Sequence, residues 1–299
     1  MTASPRELPP RIPGIRFDKI VGRGGMAVIW RAWHEELQRT VAVKVLDADF
    51  AATGQDIRQF MVEARTMTRL DHPGIVHGYE ADCADGRYYF VMEYVTGYTL
   101  TSLLARKRRL PQEEVVIVGE LVAQAMKYAW DGFGLVHCDL KPENLMVSED
   151  GGIKILDLGL CQSTSALRGA SAANEVVGTP AYISPEQIRG ETLDCRADIY
   201  SLGATLYHLV TGGPPFPLLS SEDTLRAHVN PAQRIRDPRR IVPGLSGDFV
   251  RLLAGMLVKD RDWRYATWDD VYAALAVVDQ GGVVPPLPDE AVSTLEVAL

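Results

Sequence analysis

Between Phe17 and Val95 the apolar positions fall in short alternating runs, VAVKV at 41–45 and YYFVMEYV at 88–95 among them, which is the period-two pattern of half-buried strands. One stretch around 56–70 breaks that rhythm with helical spacing, so the pattern predicts a small sheet with a single main helix. After Gly97 the period changes. Helical patterns occupy about 112–132, 196–211 and 247–258, and strand-like runs shrink to short ones near 145 and 153. The expected fold class is α+β: a small β-rich N-lobe with one main helix over 15–95, and a larger, mostly helical C-lobe over 96–280. The joint falls near Glu93 to Gly97, and joints of this kind are where ligand pockets tend to form.

The ends of the chain read differently. Residues 1–14 carry Pro5, Pro9, Pro10 and Pro13 and predict a flexible leader, while 281–299 opens on Gly281-Gly282, contains Pro285-Pro286 and predicts a tail or linker. With 299 residues, 46% hydrophobic and 23% charged, the chain can bury a substantial core. Its net charge of −8 argues against nucleic acid or an anionic membrane as partner, because neither rewards an acidic surface. The four cysteines, Cys83, Cys138, Cys161 and Cys195, form no CxxC pair and no disulfide-like spacing, which favours a reducing compartment without structural zinc. There is neither a signal-peptide pattern nor an apolar run long enough to span a bilayer. A cytoplasmic location is therefore expected, either alone or as the soluble part of a longer tethered protein.

Four stretches carry candidate chemistry. Gly22-Arg23-Gly24-Gly25-Met26-Ala27 lies in a turn between strand-like runs, where absent Cβ atoms would let backbone N–H groups approach phosphates; a glycine hairpin without a ligand fits the same residues. Lys44 lies on the opposite strand face from Val41, Val43 and Val45, and Glu63, on the predicted helix, could hold its ammonium against phosphates. His137-Cys138-Asp139-Leu140-Lys141-Pro142-Glu143-Asn144 packs a base, a cation and a metal-binding amide into one loop. There Asp139 could take or orient a hydroxyl proton, Lys141 neutralise a migrating phosphoryl group, and Asn144 offer an oxygen to Mg²⁺. Asp157 follows an apolar strand and precedes Leu158-Gly159, placing a second metal-binding oxygen at a sharp turn.

In this order, with VAVK before a helix glutamate, HxDLKPEN, DxG and Ser184-Pro185-Glu186 where APE is usual, the residues resemble the protein kinase family, and especially the bacterial Hanks-type Ser/Thr kinases through GGM and GTPAYISPEQ at 178–187. The resemblance covers about 15–280 and implies a bilobal protein-kinase-like fold. It implies ATP and Mg²⁺ as cofactors, with Mn²⁺ as an alternative ion, and protein substrates phosphorylated on Ser or Thr. By the same resemblance Ile29, Ala42 and Met146 would sandwich adenine, Met92 would be the gatekeeper, and the backbone of Glu93 to Val95 would be the hinge. Asp198 would brace the catalytic loop and Arg264 would pair with Glu186. Two rivals remain at this stage: a nucleotide-binding scaffold without turnover, and a phosphotransferase for small molecules. An arginine cluster at Arg234, Arg236, Arg239 and Arg240 reads either as a substrate-selecting surface or as a solvated face.

The resemblance also has gaps. The family usually has arginine where this chain has Cys138, and Glu175 stands at the usual phosphorylated position of the activation segment. Both departures imply activity that depends little on phosphorylation of that segment, with Ser163, Thr164, Ser165 and Ser171 as the alternative acceptors. A buried cysteine beside Asp139 is expected to be inert packing. Leu158, in place of the commoner phenylalanine, is expected to pack with His137 and Met67. Oligomeric state is not legible.

Overall fold

The computed structural model describes residues 8–47, 54–157, 179–217, 220–286 and 296. The chain divides into two compact units, Met1–Thr96 and Gly97–Leu299. In the first, β1 (Ile15–Arg23), β2 (Ala27–His34), β3 (Arg39–Leu46), β4 (Gly78–Ala84) and β5 (Arg87–Glu93) form an antiparallel sheet in the order β1-β2-β3-β5-β4. The alternation of VAVKV works as expected: Val41, Val43 and Val45 are fully buried in one cluster with Ala32, Tyr89 and Val91. The other face carries Lys44. The one helix among the described residues of this unit, α1 (Gly54–Met67), buries Phe60, Ala64 and Met67, positions spaced to share one helical stripe. Gly78 lets the end of α1 approach β4, since a Cβ there would lie 2.9 Å from the Thr68 nitrogen and 2.8 Å from the Phe90 ring.

The second unit opens with β6 (Gly97–Thr99) and α2 (Leu100–Lys107), followed by α3 (Gln112–Phe133), which starts after Pro111 and ends on Gly134 in the left-handed conformation. A three-stranded sheet joins β6 to β7 (Leu145–Ser148) and β8 (Ile153–Ile155). Then come α4 (Pro185–Ile188), α5 (Cys195–Thr211), α6 (Ser221–Val229), α7 (Gly247–Met256) and α8 (Trp268–Asp279). Ala197, Asp198 and Ser201 to Leu206 of α5 are all buried, so this helix is the central post of the unit. It packs on α3 and α7. Among the described residues no helix is long and apolar enough to cross a membrane.

The predicted helices at 56–70, 112–132, 196–211 and 247–258 correspond to α1, α3, α5 and α7. The sequence pattern missed α2, α6 and α8. The first two are short and charged, and their caps, Thr99 and Ser220, each accept an N–H at the helix start. Neither has the long apolar stripe on which the prediction relied.

Candidate active site

In the first unit the register places Ile29 opposite Lys44, Ala42 opposite Met92 and Lys44 opposite Phe90. Directly opposed residues share a face, so Ile29, Ala42, Lys44 and Met92 lie together on the face away from the valine cluster. Lys44 Nζ is 3.1 Å from Glu63 Oε1, both side chains being largely buried. The strand lysine and helix glutamate are thus a formed pair. In the glycine turn, the Gly24 N–H donates to the Ala27 carbonyl at 2.9 Å, and nothing lies within 4 Å of a Cβ built on Gly25. None of Gly22, Gly24 and Gly25 adopts positive φ. Folding of the turn does not require glycine at 25, so close approach from outside is the remaining physical reason for it. The Glu93 N–H is already donated to the His77 carbonyl at 2.8 Å. Of the predicted hinge groups, this one is therefore committed within the fold.

The second unit holds the candidate catalytic loop, 137–144, between α3 and β7. Asp198, at the start of α5, accepts the backbone N–H groups of His137 at 2.6 Å and Cys138 at 2.7 Å, and Thr205 donates its hydroxyl to the Leu140 carbonyl at 3.3 Å. Asp198 therefore braces the loop as the resemblance implies, whereas nothing in the sequence marks Thr205. Burial pushes the Asp198 carboxyl up to about 7, against the pull of its two N–H donors. His137 accepts the Asp139 N–H at Nδ1 and faces the Leu156 carbonyl through Nε2. That pairing requires a neutral ring carrying its proton on Nε2, in agreement with burial lowering its pKa.

Around Asp139 the contacts converge. Its Oδ1 accepts from the Thr179 N–H at 3.2 Å and the Thr179 hydroxyl at 3.0 Å, and its Oδ2 lies 2.6 Å from Lys141 Nζ and 3.1 Å from Asn144 Nδ2. Lys141 also donates to the Thr179 hydroxyl at 2.5 Å. Asn144 spends its amide nitrogen a second time on the Asp139 carbonyl, at 2.9 Å, so its amide oxygen is the atom left to act as a metal donor. The Leu156 N–H donates to the Asn144 carbonyl at 2.8 Å, and Leu145 pairs with Ile155. These contacts bring Asn144 and Asp157 to adjacent ends of β7 and β8. Asp157 has φ of 31°, a costly conformation for a residue with a side chain and one that concentrates at functional sites. One carboxylate and one amide oxygen form a hard donor set suited to Mg²⁺, which keeps waters and phosphate oxygens for its other positions.

Glu186 and Arg264 form the expected pair, at 2.6 and 3.2 Å, with side chains 2% and 0% exposed. Cys138 is buried with φ of 67°, and its Sγ lies 3.9 Å from the Val136 carbonyl oxygen. In the arginine cluster, Arg239 pairs with Asp237 and Arg240 with Glu296, so at least these two serve local structure. Met146 lies on β7 of the second unit. Leu158, Glu175 and the serines and threonine of 163–171 lie outside the described residues.

Comparison with known proteins agrees with this geometry. The protein kinase domain family matches residues 15–274. The chain belongs to that family. Its similar relatives include the probable serine/threonine-protein kinase PknB of Bifidobacterium longum, 35% identical over 92% of this chain and 41% of the relative. The serine/threonine-protein kinase PknB of Mycobacterium leprae is 35% identical over 88% of this chain and 42% of the relative. The chain thus stands with bacterial Hanks-type Ser/Thr kinases and spans about two fifths of the length of these relatives. Among solved structures, the PknI kinase domain of Mycobacterium tuberculosis superposes with a TM-score of 0.69 at 25% identity, covering 92% of this chain and 99% of that one.

Proposed function

We propose that this domain transfers the γ-phosphate of Mg-ATP to Ser and Thr hydroxyls of proteins, including its own. The observation that carries the reading is the set of contacts to the Asp139 carboxylate. Thr179, Lys141 and Asn144 hold it in one orientation, which is what a group that orients an attacking hydroxyl needs. Lys141, 2.6 Å away, would balance charge on the migrating phosphoryl group, Lys44 steadied by Glu63 would hold the α- and β-phosphates, and Asn144 and Asp157 would hold Mg²⁺ or Mn²⁺. The glycine turn, with Gly22, Arg23, Gly24, Gly25, Met26 and Ala27, would cover the phosphates. Ile29, Ala42, Met92 and Met146 would enclose adenine, with Val95 offering the hinge N–H because that of Glu93 is taken. Catalysis of this kind is mainly positioning and electrostatics.

The scaffold reading has no support, since the relatives are named kinases and the transfer residues are all present. Dependence on cellular Mg-ATP fits a cytoplasmic location, either alone or as the soluble part of a longer tethered protein. The missing arginine at Cys138 and the carboxylate at Glu175 suggest little dependence on activation-segment phosphorylation. Incubation with radiolabelled ATP and a generic protein substrate tests the central claim: wild type should incorporate label on Ser and Thr, and Asp139→Asn should fall to background with unchanged thermal stability. Equal incorporation by the two would remove Asp139 from the mechanism. Phosphatase treatment should slow the enzyme by less than about tenfold, equivalent to roughly 1.4 kcal/mol in barrier.

A further inference from the structure

Cys138 immediately precedes Asp139, has φ of 67°, and lacks the long cationic side chain that the family usually has there. Its backbone conformation is costly for a residue with a Cβ and persists only when neighbours impose it. Asp198 holds its N–H at 2.7 Å. Its carbonyl is held from a different element: Gln187 of α4 donates Nε2–H to the Cys138 oxygen at 2.8 Å. The other end of the same amide accepts the Ser184 N–H at 3.1 Å and the Ser184 hydroxyl at 2.9 Å, closing a capping box at the start of α4. The Gln187 amide therefore spends its oxygen on the helix that follows Thr179-Pro180-Ala181 and its nitrogen on the catalytic loop.

We propose that Gln187 is a positioning residue for phosphoryl transfer, clamping the Cys138 carbonyl so that the peptide leading into Asp139 keeps its left-handed turn. The inference rests on the kinase function proposed above. It assigns to a neutral amide the task of joining the end of the activation segment to the catalytic loop, independently of any phosphate. The two ends of the amide can be separated experimentally. Gln187→Glu keeps acceptors for both Ser184 groups, so the helix cap survives, but when ionised it has no proton to give Cys138 and sets a negative charge against its carbonyl. Gln187→Met loses both functions.

The variants are compared with wild type in the same buffer, so that the hydrogen bond to the Cys138 carbonyl is what differs. Peptide phosphorylation should show Gln187→Glu with kcat lowered about tenfold or more at a pH near 8 and KM for ATP within about twofold of wild type, the pattern of a lost transition-state interaction. On acidification its activity relative to wild type should climb as the carboxyl regains a proton and becomes a donor again. The corresponding ratio for Gln187→Met should stay flat. Hydrogen exchange of the peptide spanning 136–141 gives a reading that does not need turnover: both variants should exchange faster there than wild type. Unchanged exchange in Gln187→Glu would overturn the proposal, as would unchanged kcat or a pH-independent ratio. Wild type without activity would instead count against the kinase reading, leaving exchange alone to decide the clamp.

Discussion

At the level of single residues, two ion pairs with similar distances should behave differently because of their surroundings. Lys44 and Glu63 are 15% and 18% exposed at the side chain and face the region where phosphate is proposed to bind, so Glu63→Gln should act on chemistry more than on folding. Its kcat/KM for ATP should fall at least about tenfold, a change of roughly 1.4 kcal/mol, with a nearly unchanged melting temperature. A melting point that fell in step with activity would contradict this assignment. Glu186 and Arg264 are sealed from water, and Arg264 also donates to the Val258 and Arg196 carbonyls. Glu186→Ala strands a buried guanidinium and should cost about 3–5 kcal/mol in urea denaturation. The double variant Glu186→Met with Arg264→Met should recover much of that loss. Both pairs were legible in the sequence as family positions, but the distinction between them was not, because burial is not a property of a motif.

Among the elements, α5 does most to connect sequence to site. Its N-terminal turn presents Asp198 to the catalytic loop, its middle presents Thr205 to Leu140, and the same helix packs against α7 through Gly203, where a Cβ would lie 2.7 Å from the Met256 Cβ. The Met256 Cβ is fixed by the backbone of its own helix, so Gly203→Ala must push the two helices apart. We expect a loss of about 1–3 kcal/mol of stability, read from the urea midpoint, together with weaker catalysis because α5 carries the loop's anchors. A stability change below about 0.5 kcal/mol, the range of ordinary surface substitutions, would show that the helices yield easily. The helical period of 196–211 was plain in the sequence. That its polar members point inward to serve a loop some 60 residues earlier in the chain was available only from the family resemblance for Asp198, and from nothing for Thr205.

For the molecule as a whole, the buried titrating groups determine how the second unit responds to acid. Burial pushes the His208 ring down to about 4 and His228 to about 3, and their Nδ1 atoms face the Tyr182 and Tyr200 hydroxyls at 2.7 Å. An unfolded chain takes up these protons near pH 6.5, which the fold resists until near pH 4, so the histidines' contribution is present above 6.5 and is lost as pH falls through that window. Asp198 works in the opposite direction: with its pKa raised to about 7, the fold gains a proton before the unfolded chain does, and this flattens the total profile. The His208 term is isolated by difference. Between pH 7 and 5 wild type should lose about 1–2 kcal/mol relative to His208→Gln, and a constant gap between their urea midpoints would contradict the assignment.

The change from a strand-rich to a helix-rich pattern, the helices that became α1, α3, α5 and α7, and the candidacy of Lys44, Glu63, Asp139, Lys141, Asn144 and Asp157 were legible in the sequence alone, because alternation, helical period and motif spacing are local. Tertiary structure decided how those candidates are held. The Asp139 carboxylate is gripped by Thr179 from 40 residues away, and the Cys138 peptide by Asp198 and Gln187 from 60 and 49. Such contacts join groups whose spacing along the chain carries no period, so they become visible only once the chain has folded back on itself.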